Sequence, residues 1–147
     1  MSKVTAYYHI VFCTKYRGKT IPMHLREDLY RVIWKIITDK RSRLIRIGGV
    51  EDHVHMLINL HPSVALSELM QAVKGGSSTW MSNDPRFIRF TGWAADYYAG
   101  TLSPEVRDNV IEYIKGQEQH HCRKSLKDEL VELYQLAGLK YYDRDMV

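Results

Sequence analysis

Apolar and polar positions alternate along this chain with two periods, and the changes from one to the other mark out its elements. Residues 4–13, VTAYYHIVFC, are β-branched and aromatic and predict a strand that ends at a basic loop. Pro22 suits the first turn of a helix, and MHLREDLYRVIWKIITDK places Leu25, Leu29, Val32, Ile33, Ile36 and Ile37 on one helical face. Residues 43–49 read as a second strand ending at Gly48-Gly49. EDHVHMLINL, residues 51–60, follows closely enough for the two strands to form an antiparallel hairpin. Ser63 is a candidate cap for VALSELMQAVKGGSSTWM, a helix that Gly75-Gly76 either ends or kinks. GWAADYYAGTL predicts a fourth strand. Ser103-Pro104-Glu105 then opens a helix over about 104–121, and a last amphipathic helix spans about 125–137.

The order β-α-β-β-α-β predicts an α+β fold, a ferredoxin-like or RRM-like sandwich with helices on one face of an antiparallel sheet, followed by C-terminal helices. At 147 residues the chain makes one domain, residues 1–147, with no repeat or linker. Its apolar content, 45%, is that of an ordinary soluble protein, and no run approaches the ~18 apolar residues of a membrane span. Strand-like sequence at the start argues against a signal peptide. Cys13 and Cys122 fit no C-x-x-C pattern, so a reduced, cytoplasmic protein is expected.

Charge changes this picture only by its distribution. The net charge of +4 divides into +7 over residues 1–90 (14 Lys and Arg against 7 acids) and −3 over residues 91–147 (7 against 10). TKYRGK and DKRSRLIR carry much of the excess. Such runs form either a solvated surface or a phosphate-binding face, and the interleaved aromatics favour the second. Lys15, Tyr16, Arg17, Arg41, Arg43 and Arg46 are the candidate phosphate contacts. Trp80 and Trp93 could stack on bases but suit the core better.

Two histidines at the head of an apolar strand are the main chemical anomaly. Alternation points His53 and His55 to one face and Val54, Met56, Ile58 and Leu60 to the other. The histidines are separated by about 6.6–6.8 Å along the strand, a span at which two imidazoles can converge on one cation. Strand-end histidines with no ligand role remain the alternative. Glu51 and Asp52 read as solvated turn residues, with orientation of an imidazole as the other possibility. In EYIKGQEQHH, Tyr113 and Gln117 share a helix face beside the apolar stripe of Val110, Ile111 and Ile114. His120, His121 and Cys122 point in different directions and read as a helix C-terminus.

YYHIVFCTKYR, EDHVHMLINL and VIEYIKGQEQHH, taken together and in that order, resemble the HUH-superfamily single-tyrosine transposases of bacterial insertion sequences and their REP-associated relatives. The resemblance runs from about residue 4 to 140. It implies that His53 and His55 bind a divalent metal, with Gln117 completing the shell, and that Tyr113 is the nucleophile. That mixed shell and a phosphate substrate suit Mg²⁺ or Mn²⁺, and Zn²⁺ would fit the histidines alone equally well. The implied reaction cleaves and rejoins single-stranded DNA at hairpin-marked ends through a 5′-phosphotyrosine. Because two DNA ends must be handled, a homodimer is expected. Its seam would be an edge strand, either TAYYHIVF or WAADYYAG, and the tyrosine helix could reach the partner's histidines with YAGTLSP as the hinge. Two rival functions fit parts of the sequence. A non-catalytic RRM-like nucleic-acid-binding module leaves the histidine pair and Tyr113 without roles, and a metal-dependent phosphodiesterase using water makes Tyr113 a bystander.

Overall fold

The computed structural model describes residues 2–120 and 123–147, the side chain of His120 excepted. Four strands, β1 (Tyr7–Cys13), β2 (Arg43–Val50), β3 (His53–Asn59) and β4 (Tyr98–Leu102), form one sheet in the order β2-β3-β1-β4. Every neighbouring pair is antiparallel. This is the expected ferredoxin-like sheet.

Helices α1 (Arg26–Asp39) and α2 (Leu66–Ser82) cover one face. Ile10 and Phe12 of β1 and Val54, Met56 and Ile58 of β3 are buried there with Leu29, Ile33 and Ile37 of α1 and Leu69, Met70 and Val73 of α2. The alternation read from β3 is the one observed. α2 runs unbroken through Gly75-Gly76, because Gly76 is where α1 approaches: a Cβ there would lie 2.7 Å from Ile36 Cδ1. Trp93 belongs to this core, its Nε1 donating to Ser77 Oγ at 2.9 Å, and Trp80 packs against the core beside Phe87.

The second face is covered too, by α3 (Arg107–Lys115), α4 (Gln117–His120) and α5 (Leu126–Leu136). Val11, Cys13 and Tyr98 pack there against Leu126, Leu130, Tyr134 and Met146. Helices therefore lie on both faces, the two of the β-α-β-β-α-β core on one, as expected, and the C-terminal helices on the other. β1 explains why: its residues from His9 to Cys13 are all buried, whichever way they point, and a strand buried on both faces needs cover on both.

Several boundaries differ from the sequence reading. The fourth strand is short; of its expected first half, Trp93 makes only an isolated bridge to Thr14. YAGTLSP is not a loop, since Tyr98–Leu102 pairs with β1 and only Ser103 separates it from the helical turn Pro104–Val106 that leads into α3. β1 is an inner strand, and the edges are β2 and β4. Ser63 caps nothing: α2 starts after Ala65, and the Ser63 hydroxyl is engaged by His61 Nδ1 and Arg41. Ser125 does cap α5, accepting from Asp128 N at 3.1 Å. The tyrosine helix breaks at Gly116 and resumes at Gln117. The reading of His121 and Cys122 as a helix C-terminus lies outside the described residues. Among the described residues no helix is long and apolar enough to cross a membrane.

Candidate active site

His53 and His55 project from β3 toward α3, α4 and α5, and both are fully buried. The register explains the arrangement. His55 lies between Val11 of β1 and Gly48 of β2, so glycine is its neighbour on the edge side. α3 lies directly over that glycine, and a Cβ on Gly48 would meet the Ile114 carbonyl oxygen at 2.7 Å. Only a residue without a side chain lets the helix settle this close to the histidine strand. Tyr113 and Gln117 flank Ile114 in sequence and are thereby carried into the site.

The contacts form one cluster. His53 Nδ1 lies 2.7 Å from Asp52 Oδ1, and its Nε2 lies 3.1 Å from Gln117 Oε1 and 3.7 Å from Glu129 Oε2. His55 Nε2 lies 2.9 Å from Glu129 Oε1, and its Nδ1 lies 2.8 Å from His9 Nε2. The Tyr113 hydroxyl donates to Glu129 Oε1, and its ring centroid is 5.6 Å from that of His55. Gln117 Nε2 reaches Glu129 Oε1 at 3.3 Å and the Tyr113 carbonyl at 3.5 Å, which fixes the amide with its oxygen toward His53. Beside Tyr113 is a cleft of about 210 Å³ lined by His9, Val110, Tyr113, Glu129, Leu133 and Leu136.

Burial sets the electrostatics. It lowers the His55 imidazole to about 3 and that of His9 to about 4, although Glu129 opposes both shifts, so each is neutral at pH 7. Burial and then the adjoining Glu129 carboxylate push the Tyr113 phenol well above its ordinary value, so in this state it keeps its proton. Cys13, on the same sheet face, is pushed up to about 12 by burial and is an inert thiol.

The donor set fits a divalent cation. A carboxylate only accepts, so the Asp52 contact puts the His53 proton on Nδ1 and leaves a lone pair on Nε2. That lone pair faces the Gln117 amide oxygen and the Glu129 carboxylate, acceptor against acceptor. Two acceptors at 3.1 Å are poorly matched as a pair but well matched as neighbours in a coordination shell, where bonds of about 2.0–2.2 Å set donor atoms about 3 Å apart. His53, His55 and Glu129 offer atoms all within 4.8 Å of one another. Two imidazoles with an amide and a carboxylate oxygen form a mixed nitrogen and oxygen shell for such a cation.

All four residues singled out for chemistry, His53, His55, Tyr113 and Gln117, lie together within one chain. Reasoning from sequence missed Glu129 and His9; of its two readings of Asp52, the less favoured one holds, since Asp52 orients the His53 ring. Glu129 had left a trace: it falls on the apolar stripe of α5 with Leu126, Leu130 and Leu133, and an acid there needs a partner.

The basic candidates scatter. Lys15 and Tyr16 are exposed in a tight turn after β1, and Tyr16 and Arg17 adopt positive φ. Arg17 is taken up by the C-terminal segment, with Nε donating to the Met146 carbonyl at 3.2 Å and Nη2 to Tyr141 and the Asp145 carbonyl, so its role here is structural. Arg41 donates to Ser63 Oγ at 2.8 Å. Arg43 and Arg46 are exposed on edge strand β2.

Known proteins bear directly on this arrangement. The family model described as IS200-like transposase matches residues 2–117. The transposase for insertion sequence element IS200 of Salmonella typhimurium is 29% identical over 115 residues, covering 75% of this chain and 75% of that protein. The ISDra2 transposase TnpA of Deinococcus radiodurans is 25% identical over 120 residues, covering 75% and 82% respectively. In structure the chain superposes on a REP-associated tyrosine transposase bound to a REP hairpin with a TM-score of 0.62, at 12% identity, over 100% of this chain and 94% of the other. That likeness carries the fold, and the family match reaches far enough along the chain to include both histidines, Tyr113 and Gln117. The chain belongs to the IS200-like family of single-tyrosine transposases.

Proposed function

We propose that this transposase cleaves and rejoins single-stranded DNA at hairpin-marked ends, with Tyr113 as nucleophile and a 5′-phosphotyrosine as intermediate. The observation that carries this reading is the convergence of His53, His55, Gln117 and the Tyr113 hydroxyl on the buried Glu129 carboxylate. His53, His55 and Gln117, joined by Glu129, would hold Mg²⁺ or Mn²⁺. Bound there, the cation supplies Lewis-acid polarisation of the scissile phosphate. The remaining chemistry belongs to the chain. Glu129 takes the phenol proton it already accepts as a hydrogen bond, the Tyr113 oxygen bonds to phosphorus, and the bond from phosphorus to the 3′-oxygen breaks. The 3′-oxygen leaves as a hydroxyl with a proton from water, and the proton held by Glu129 passes to the hydroxide left behind. Rejoining reverses these steps, so the phosphodiester energy is kept and no ATP is consumed.

Single-stranded DNA suits a site closed between sheet and helices, where a duplex phosphate cannot enter in line. A hairpin as the recognised element is supported by the REP-associated relative, which was solved on one. Lys15, Tyr16, Arg41, Arg43 and Arg46 provide backbone contacts, and Arg17 braces the Lys15–Tyr16 turn from behind. The working unit is a homodimer, since one chain has one cleavage centre and strand transfer has two ends; β2 and β4 are its available seams.

Incubation with a hairpin oligonucleotide and Mn²⁺, followed by a denaturing gel, tests the reading. A protein–DNA adduct is expected. Free cut product without adduct would mean hydrolysis by water, and no cleavage would mean a binding module. Cover on both sheet faces argues against that last outcome, because an RRM-like module needs one face open.

A further inference from the structure

His9 is an imidazole where the pattern of β1 calls for an apolar side chain. It shares its sheet face with Val11 and Cys13, is 8% exposed, and is walled by the rings of Tyr98 and Tyr113 at 6.0 and 5.9 Å. Burying such a group costs free energy unless its polar atoms are matched. Its match is His55. In the sheet register Val11 lies opposite His55 and His9 opposite Leu57, so His9 is the diagonal neighbour of His55. Its Nε2 approaches His55 Nδ1 at 2.8 Å, and the two ring planes differ by only 20°. A centroid separation of 5.1 Å at that N···N distance means the rings meet edge to edge, with the in-plane N–H of one aimed at the in-plane lone pair of the other.

The geometry points to His9 as the positioning residue that takes up the His55 Nδ1 proton when the His55 Nε2 gives up its contact with Glu129 to a cation. The inference rests on the metal reading above. A histidine that ligates through Nε2 carries its proton on Nδ1, and that proton needs an acceptor. For His53 the acceptor is the Asp52 carboxylate at 2.7 Å; for His55, whose Nε2 proton the Glu129 carboxylate at 2.9 Å accepts before a cation binds, it is the His9 Nε2 once the cation occupies that position. The two acceptors stand on different strands and differ in charge. Asp52 contributes an anion at the end of the site, whereas His9 orients its ring without adding negative charge beside the position of the DNA phosphate.

The test uses Mn²⁺ alone, without DNA, titrated into the full chain and read by calorimetry or by the loss of the free-ion electron paramagnetic resonance signal. His9→Phe keeps a ring in the slot and removes the acceptor. It should weaken Mn²⁺ binding by about 10–100-fold, while its melting temperature in EDTA stays close to that of the wild type. His9→Gln places an amide oxygen near the lost Nε2 and should restore affinity to within about threefold. Nitrogen-15 NMR of the Mg²⁺-saturated wild type, which needs no variant to fold, should find the His55 proton on Nδ1. A His55 proton on Nε2 in that state, or His9→Phe binding Mn²⁺ as the wild type does, overturns the role of His9 and leaves the metal site standing. If the wild type and His53→Ala take up Mn²⁺ alike, the metal reading falls and the inference falls with it.

Discussion

Replacing Gly48 with alanine puts one methyl group into the seam between β2 and the tyrosine helix. The new Cβ would lie 2.7 Å from the Ile114 carbonyl oxygen and 3.1 Å from Ile114 Cγ2. The carbonyl is backbone and cannot rotate away, so α3 must retreat by roughly 0.5–0.7 Å to restore ordinary contact. Overpacking of this kind costs about 1–3 kcal/mol, and alanine recovers about 0.5–1 kcal/mol over glycine in a strand. A net loss of up to about 2.5 kcal/mol remains, worth up to roughly 10 °C in melting temperature for a chain of this size. The catalytic effect should be larger. Tyr113 and Gln117 ride on the displaced segment, and a 1 Å misplacement can cost about 10²-fold, so adduct formation should slow by roughly 10–30-fold. Hairpin affinity should hardly change. Gly75→Ala is the control: a Cβ there meets nothing within 4 Å, and the substitution should stabilise α2 by up to about 1 kcal/mol. Thermal melts and the adduct gel, run side by side, decide the matter. Wild-type melting and wild-type adduct rates for Gly48→Ala would show that helix and strand are not in the contact described, and the explanation of how Tyr113 reaches its histidines would fail.

Tyr113→Phe should fold, lose about 1 kcal/mol with the hydrogen bond to Glu129, and form no adduct, whereas Tyr7→Phe and Tyr97→Phe keep it. Mn²⁺ at about a hundred times its dissociation constant should stabilise the wild type by about 2.7 kcal/mol in a thermal melt. His53→Ala and His55→Ala should lose that shift together with cleavage while still retarding the hairpin on a native gel. Arg17→Ala should destabilise by about 1–3 kcal/mol by freeing the C-terminal segment, whereas Arg46→Ala should leave the melt unchanged and reduce the salt dependence of hairpin binding by about one unit of slope. Mixing a His53→Ala, His55→Ala chain with a Tyr113→Phe chain tests composite sites. Here Tyr113 meets the histidines of its own chain, so cleavage by proven mixed dimers would require the tyrosine helix to exchange between partners.

Elements with a strong period were legible from residues alone. The alternation of β3, the apolar stripe of α1 and the start of α5 near Ser125 depend on neighbours within a few positions, so local pattern determines them. The sequence also determined that His53 and His55 share a face, because strand geometry leaves no other outcome, and that Tyr113 and Gln117 share another. What it could not determine was whether the two faces meet. That depends on Gly48, whose missing side chain matters only because α3 passes over it, more than sixty residues later in the chain. Glu129 and His9 were hidden for the same reason. Each is polar at an apolar position, which signals an unmet partner without naming it, and the partners lie on another helix and another strand. The both-faced cover of the sheet likewise required the C-terminal helices to return, and their amphipathic stripes do not say against what. Local periodicity fixes which way a side chain points; only the packed chain decides what it points at, because contacts between distant segments depend on shape and distance that no short stretch of sequence encodes.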